Sequence, residues 1–312
     1  MRAIVTGGAG FIGSHVVDAL VARGDEVLVV DDLSSGRREN LNEHVRLAVA
    51  DVRDRDAIDA IFDEVRPEAC FHLAAQANVR VSVERPAHDA EVNVIGTIRV
   101  LNAATRHGTR VVFASTGGSI YGECDGPASE DAPRLPFSPY GTSKLAGEEY
   151  LALYNRLHGG AHTSLRYGNV YGPRQDPHGE AGVVAIFLGR LARGERPTVF
   201  GDGTQTRDYV YVADVVEATL AASTYAAGVF NVGTGAETSV LELLEACKRA
   251  AGVDAEPVFA PPRAGELQRS VLDPMLAERE LGFRARSALG EGLSATWEFV
   301  RRAEGVERAE AN

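Results

Sequence analysis

The sequence lacks the features that mark disulfide-rich, metal-binding and membrane proteins. Its 312 residues include three cysteines, Cys70, Cys124 and Cys247, without C-x-x-C or zinc spacing. We therefore expect reduced structural thiols and no bound metal, and the eight histidines form no ligand pattern either. No apolar run approaches the roughly 20 residues that span a bilayer. The sequence opens directly on an apolar run and a glycine loop, which leaves no room for a signal peptide and favours a cytoplasmic protein.

Positive charge is also scarce. The chain has 32 Lys and Arg residues against 44 Asp and Glu residues, a formal net charge of -12. This balance argues against nucleic acid or an anionic membrane as the main partner. A small anionic substrate remains compatible with it, since a few arginines can line a local site.

The first half of the chain alternates short apolar runs with helical periods. The runs at 3–5, 26–30, 45–49, 70–73 and 110–114 have the composition of buried parallel strands. Helical patterns lie between and after them, near 12–22, 55–65, 90–107 and 140–157. This order predicts right-handed βαβ crossovers, hence an α/β fold with a doubly wound Rossmann parallel sheet.

The second half is less regular and has no clean linker. Helical patterns lie near 183–193, 213–223, 239–251 and 287–302, and the strand at 229–232 is expected to return to the main sheet. We predict a Rossmann domain over 1–170, with 204–235 returning to it. Residues 171–312 mainly form a smaller, interleaved α/β region that binds the substrate.

A dinucleotide site is predicted at the first strand-to-helix turn. Gly7, Gly10 and Gly13 have the spacing that allows a tight turn, close backbone approach to a pyrophosphate and close helix packing. The second predicted strand leads into Asp31, where a carboxylate can accept hydrogen bonds from a ribose 2′-hydroxyl. Asp31 and Asp32 would repel a 2′-phosphate, so we expect NAD rather than NADP.

Asp51 and Val52 follow the third predicted strand and are expected to border the adenine. The alternative for Asp51 is that it caps the next helix.

Tyr140 and Lys144 form a candidate base. On a helix, four residues of separation place both side chains on one face. An ammonium beside a phenol favours the phenolate, so we expect Lys144 to lower the pKa of Tyr140. The result is an oxygen base that can take an alcohol proton. The alternative is an ordinary helix face.

Several ordered motifs resemble one family over nearly the whole chain. They include the glycine loop at 6–15, HLAAQ at 72–76, NVIGT at 93–97, STGGSIYG at 115–122, YGTSK at 140–144, RYGNVYGPR at 166–174, FGDG at 200–203 and RDYV at 207–210. They are similar to the extended short-chain dehydrogenases (the NAD-dependent epimerase/dehydratase family), and within it to the UDP-glucose (UDP-galactose) 4-epimerases.

The resemblance implies a catalytic set and a cofactor set. Tyr140 would be the base, Lys144 its ribose-holding partner, and Thr116 the hydroxyl that bonds the sugar oxygen. Ser115 and Ser119 are near alternatives, and Thr116 could instead cap a strand end. The implied contacts to NAD are Gly7, Gly10, Phe11, Ile12, Gly13, Asp31, Asp32, Ser35, Gly36, Asp51, Val52, Leu73, Ala74, Ala75, Tyr140, Lys144 and Tyr167.

It also implies a UDP-sugar site. Asn169 would contact the phosphates, and Arg207 and Arg263 would clamp them with planar forks. Thr198 and Phe200 would flank the uracil and Glu266 would hold the ribose. The full implied set is Thr116, Tyr140, Asn169, Val183, Thr198, Phe200, Arg207, Tyr209, Arg263 and Glu266.

The reaction that the resemblance implies is redox-neutral interconversion of UDP-galactose and UDP-glucose. Related dehydratases and decarboxylases carry acids in the loop where this chain has Gly117 and Gly118, which favours the epimerase. UDP-glucuronate or UDP-N-acetylglucosamine as substrate, and an inactive NAD-sensing protein, remain alternatives. Ser270 is expected to border the sugar 2-substituent and leave room for an acetamide.

A homodimer is also expected from the resemblance, through the helices near 90–107 and 140–157, although these helices could merely cover the sheet.

Overall fold

A computed structural model describes residues 1–177, 182–225, 227–263 and 265–305. The strands are β1 (Arg2–Thr6), β2 (Glu26–Asp31), β3 (Arg46–Val49), β4 (Ala69–His72), β5 (Arg110–Thr116), β6 (Thr163–Tyr167), β7 (Asn169–Tyr171), β8 (Thr198–Phe200), β9 (Thr206–Arg207), β10 (Tyr209–Tyr211), β11 (Gly228–Val232), β12 (Thr238–Ser239), β13 (Val258–Ala260) and β14 (Arg269–Ser270). The helices are α1 (Phe11–Ala22), α2 (Arg55–Val65), α3 (Val79–Glu84), α4 (Pro86–Ala90), α5 (Gly96–His107), α6 (Gly117–Ile120), α7 (Pro139–His158), α8 (Val183–Ala192), α9 (Val212–Ala222), α10 (Val240–Ala251), α11 (Met275–Leu281) and α12 (Leu289–Ala303).

The main sheet has the strand order β11-β6-β5-β4-β1-β2-β3, and all its neighbours run parallel. Both faces are covered, which explains why these strands are continuous apolar runs: Ala3, Ile4 and Val5 are all fully buried. Side chains of α1 and α9 pack on one face, and those of α2, α5 and α7 on the other. The predicted doubly wound α/β fold is confirmed.

Two strands of this sheet, β6 and β11, bear on the predictions from the sequence. Strand β6 is not among the predicted strands, because Arg166 interrupts its apolar pattern. The guanidinium is nevertheless buried, in an ion pair with Glu148 of α7. Strand β11 forms the sheet edge beside β6, so the chain crosses the second region before it completes the first.

The predicted helix over 90–107 is divided. It consists of α4, a π-helical turn at Glu91–Ile95, and α5. At the turn, Asn93 directs its amide to Gln76 O (2.9 Å) and Ser143 Oγ (3.1 Å). Thr97 Oγ1 donates to the Asn93 carbonyl at 2.6 Å. Turns of this kind concentrate at functional sites, and this one faces α7.

The second region packs around its own core. Helices α8, α10 and α12 enclose a cluster that includes Phe187, Leu243 and Trp297. Three small sheets, β10-β7, β12-β9-β14 and β13-β8, lie apart from the main sheet, and Tyr171 of β7, Val199 of β8 and Tyr209 of β10 belong to the same cluster. None of the helices in the described part of the chain is both long enough and apolar enough to cross a membrane.

Candidate active site

A cavity of about 900 Å³ opens at the carboxyl ends of the central strands. Every residue predicted to contact the cofactor lines it, from the glycine loop to Asp31, Asp51, Leu73, Tyr140 and the side chain of Tyr167. Cavities of open α/β sheets bind ligands at this edge, where the strand order changes direction. The cavity therefore lies where a dinucleotide is expected.

The glycine loop fits a pyrophosphate. Gly7 adopts φ +69°, and a Cβ there would lie 2.6 Å from the backbone nitrogen of Ala74; a Cβ on Gly13 would lie 2.1 Å from Gly7 O. Only glycine fits at both positions. Helix α1 starts with Gly10 as N-cap, without a side-chain cap and without an acid in its first turn. Its first N–H groups are thus open to an anionic ligand.

Asp31 is held rigidly at the end of β2. Its carboxylate accepts hydrogen bonds from Ala9 N and Leu33 N, both at 2.9 Å. Burial raises its pKa. A Cβ on Gly36 would lie 2.7 Å from Asp31 Oδ1, so the loop can close over the carboxylate only with glycine there. Each oxygen keeps a lone pair for a ribose hydroxyl.

Asp51 does not cap the next helix. Its carboxylate pairs with Arg53, with Nη2 to Oδ2 at 2.6 Å, and this pairing lowers the pKa of Asp51. The N-cap of α2 is Asp54, which accepts from Ala57 N at 3.1 Å. The capping alternative is therefore wrong, and Asp51 lies in the cavity wall beside Val52.

Tyr140 and Lys144 lie on the buried face of α7. Ser138 caps this helix by accepting from Gly141 N at 3.1 Å, and Pro139 occupies the first helical turn. Lys144 Nζ donates to Ala114 O of β5 at 2.9 Å. Burial lowers the pKa of Lys144 to about 8. The Thr116 side chain at the end of β5 acts on the Tyr140 hydroxyl and lowers its pKa, against the larger effect of burial.

The expected lowering of the Tyr140 pKa is wrong. Burial raises the pKa of Tyr140 to about 12, and the negative charge of Asp89 adds to the rise. The physical reason is twofold. The phenolate has lost its water, and the Lys144 ammonium is directed to the carbonyl of Ala114.

Among the three candidate hydroxyls, that of Thr116 is the one that lowers the pKa of Tyr140. Ser115 instead donates to Glu148 Oε1 at 2.5 Å. Thr116 precedes α6 without a side-chain capping bond. A Cβ on Gly118 would lie 3.3 Å from Asn169 Oδ1. The segment that carries Thr116 therefore reaches Asn169.

A second cavity, of about 760 Å³, lies beside the first, and Pro177 lines both. The predicted substrate residues outside the catalytic trio all line it: Asn169, Val183, Thr198, Phe200, Arg207, Tyr209, Arg263 and Glu266. The structure thus brings together residues that are nearly 100 positions apart in the sequence.

Two arginines of this second cavity contact other side chains that line it. The Arg263 guanidinium lies 4.0 Å from the centre of the Phe200 ring, and Arg207 Nη2 lies 3.7 Å from Glu266 Oε1. The buried hydroxyl of Tyr209 has no hydrogen-bond partner among the described residues. A planar ligand with phosphates would find a ring, two guanidinium groups and an unused hydroxyl here.

Several side chains that line this second cavity were not predicted from the sequence, and one predicted neighbour of the sugar does not line it. Arg190 and Gln205 also line the cavity. Arg190 lies seven residues after Val183 on α8, a helical spacing that could have indicated it. Ser270 is only 6% exposed and is not among the lining residues. The expectation that it borders the sugar is therefore not supported.

Comparison with known proteins gives a consistent result. Residues 3–233 match the model of the NAD dependent epimerase/dehydratase family. The chain is 50% identical over 310 residues to the UDP-glucose 4-epimerase of Mycolicibacterium smegmatis, an alignment that covers 96% of this chain and 99% of that protein.

Solved structures agree with this match. The UDP-glucose 4-epimerase of Thermotoga maritima, crystallised with UDP-glucose, has a TM-score of 0.95 and 49% identity, covering 97% of this chain and 99% of that one. The UDP-glucose 4-epimerase of Thermus thermophilus in complex with NAD has a TM-score of 0.93 and 48% identity, covering 97% of this chain and 100% of that one.

Proposed function

The chain belongs to the NAD dependent epimerase/dehydratase family, and from that membership we propose that it is an NAD-dependent 4-epimerase. It interconverts UDP-galactose and UDP-glucose through a 4-keto intermediate. The observation that carries the proposal is the pair of adjoining cavities. One is lined by the dinucleotide motif and Tyr140, the other by the arginines and aromatic ring expected for a nucleotide sugar.

In this mechanism Tyr140 takes the proton of the sugar 4-hydroxyl and later returns it. Thr116, whose side chain acts on the Tyr140 phenol, positions the hydroxyl. NAD, held by the residues that line the first cavity, would accept a hydride from C4 and give it back. Lys144 stays cationic in the buried wall, with its Nζ already 2.9 Å from a backbone carbonyl. The pair can favour the phenolate once the ammonium turns from Ala114 toward the cavity.

Epimerisation also requires the two faces of the keto sugar to be presented in turn. We propose that Arg207 and Arg263 hold the pyrophosphate, that Phe200 and Thr198 flank the uracil, and that Glu266 holds the ribose. These anchors leave the sugar itself to turn. Gly118, beside Asn169, adds no side chain to that space. A dehydratase would need an acid in this segment.

The two regions of the chain would bind different ligands. We propose that residues 1–170 with 204–235 hold NAD, and that residues 171–312 mainly hold the nucleotide sugar. We also propose a cytoplasmic location, which the three unpaired thiols support.

We propose a homodimer whose interface is formed by α5 and α7. The two helices are joined side by side, since Tyr154 Oη donates to Asn102 Oδ1 at 2.7 Å. Apolar side chains remain exposed near their ends, with Ile95 at 43% and Leu157 at 65%. A two-fold interface would cover them. Light scattering that gives a monomer at micromolar concentration removes this part of the proposal.

The proposed activity is tested by incubating the protein with UDP-galactose and reading products by proton NMR. UDP-glucose should form without net NADH. Tyr140→Phe should lose at least ~100-fold in kcat, the usual scale of a general acid–base group. Parallel incubations with UDP-glucuronate and UDP-N-acetylglucosamine define the sugar. An NAD-sensing protein would bind NAD and convert none of these sugars, which would contradict the proposal.

A further inference from the structure

Asp89 is a buried carboxylate to which the mechanism assigns no role. It lies on α4 and is 1% exposed. Its Oδ1 accepts from Gln76 Nε2 at 2.9 Å and from Asn93 Nδ2 at 3.1 Å. Its Oδ2 has no hydrogen-bond partner among the described residues. A carboxylate buried without a directly paired cation is costly, so its presence calls for an explanation.

Short contacts link Asp89 to the helix that carries the base. The amide of Asn93 that bonds Asp89 also donates to Ser143 Oγ at 3.1 Å. Ser143 Oγ in turn donates to the Tyr140 carbonyl at 3.0 Å. Tyr140, Ser143 and Lys144 share one face of α7, and the π-helical turn directs Asn93 toward this face. Asp89 therefore lies behind the Tyr140–Lys144 pair.

The charge of Asp89 acts on both members of the pair. It raises the pKa of Tyr140, in the same direction as burial. It also raises the pKa of Lys144, against the larger effect of burial, with Glu148 acting the same way. The other titratable or charged groups packed around the pair are His72 of β4, whose pKa Lys144 helps to lower, and Arg166 of β6, the partner of Glu148.

We propose that Asp89 is a positioning residue of the epimerase, whose negative charge keeps the proton on Tyr140 and the charge on Lys144 until substrate is bound. The inference rests on the proposed function, because that reaction runs in both directions through one phenol. A phenol made too acidic by neighbouring cations would return its proton readily, but its phenolate would be too weak a base to take the proton of the sugar hydroxyl. A fixed anion behind the pair balances removal against return.

The test is the pH dependence of turnover in Asp89→Asn. Asparagine keeps the Oδ1 acceptor for Gln76 and Asn93 and removes only the charge. Because Asp89 raises both pKa values, its removal should move both limbs of the bell-shaped kcat profile to lower pH, by about 0.5–1 pH unit. The phenolate of Tyr140 can also be followed by its ultraviolet absorbance, as the difference between each protein and the same protein with Tyr140→Phe. The pH midpoint of this difference should shift to lower pH by the same amount.

Three further variants make the result decisive. Asp89→Glu keeps the charge and should keep the wild-type profile. Glu91→Gln removes an equal charge two residues away, from a side chain that is 61% exposed, and should leave the profile in place. Asp89→Ser, with room for a water at the Oδ2 position, replaces Asp89→Asn if that variant fails to fold.

A loss of kcat that is equal at every pH, or limbs that stay in place or move upward, would show a purely structural role and overturn the inference. A wild-type protein that converts no UDP-sugar would overturn the proposed function itself. An active wild type whose profile Asp89→Asn leaves unmoved would overturn the role of Asp89 alone.

Discussion

The buried ion pair behind the catalytic helix yields a quantitative prediction. Arg166 of β6 and Glu148 of α7 are 2% and 3% exposed, and Nη2 lies 2.7 Å from Oε2. Arg166 Nε bonds both carboxylate oxygens, at 3.0 and 3.1 Å, and Nη1 donates to Tyr121 Oη at 2.7 Å. Ser115 donates to the other side of the carboxylate. This pair of opposite charges therefore links β6, α7, β5 and the segment that contains Tyr121.

Removing one partner leaves the other charge buried and unpaired. Glu148→Gln should lower the free energy of unfolding by about 3–5 kcal/mol, the range measured for broken buried pairs. Glu148→Leu together with Arg166→Met removes both charges and keeps the volume. This double variant should recover most of the loss, because two charges no longer need to be desolvated.

Urea unfolding of the ligand-free proteins, followed by far-ultraviolet circular dichroism, measures these differences at constant m. The control is Glu149→Gln, also on α7, which breaks an exposed pair with Arg134 of the preceding segment and should change stability by less than about 1 kcal/mol. The reasoning is refuted if Glu148→Gln behaves like this control. It is also refuted if the double variant is destabilised by the sum of its single substitutions.

Three further outcomes are expected. Burial lowers the pKa of His162 to about 4, so unfolding takes up a proton below pH 6.5. Relative to His162→Asn, the wild type should lose roughly 2 kcal/mol of stability between pH 7 and 4.5 in urea titrations. Gly13→Ala, whose Cβ would meet Gly7 O at 2.1 Å, should be purified without NAD, as acid release and chromatography will show. Arg207→Gln should weaken UDP binding by about 10- to 100-fold in calorimetry, since one of the two guanidinium groups is lost and Glu266 loses its cationic neighbour.

The first half of the fold follows from local pattern, whereas β6 does not. The strands before Thr116 are apolar runs because both faces of the sheet are covered, and this composition is visible in sequence. Strand β6 contains Arg166, whose burial depends on Glu148, 18 residues earlier on a helix. Only the three-dimensional pairing shows that an arginine there belongs inside the sheet.

The candidate site divides in the same way. The glycine loop of the first cavity could be assigned from its motif, because backbone approach at Gly7 and Gly13 demands glycine wherever the fold recurs. The protonation state of Tyr140 could not be predicted from the sequence, since it depends on burial and on the direction of the Lys144 side chain. The role of Asp89 also depends on a π-helical turn that no spacing rule indicates.

In the proposed reaction, one hydride leaves C4 and returns to it within the same protein. The most direct measurement uses UDP-galactose that carries deuterium at C4, with the UDP-glucose product examined by proton NMR and mass spectrometry. The proposed mechanism predicts that the product keeps the deuterium at C4 and that no NADH accumulates. A product with solvent hydrogen at C4, or release of NADH in proportion to turnover, would contradict it.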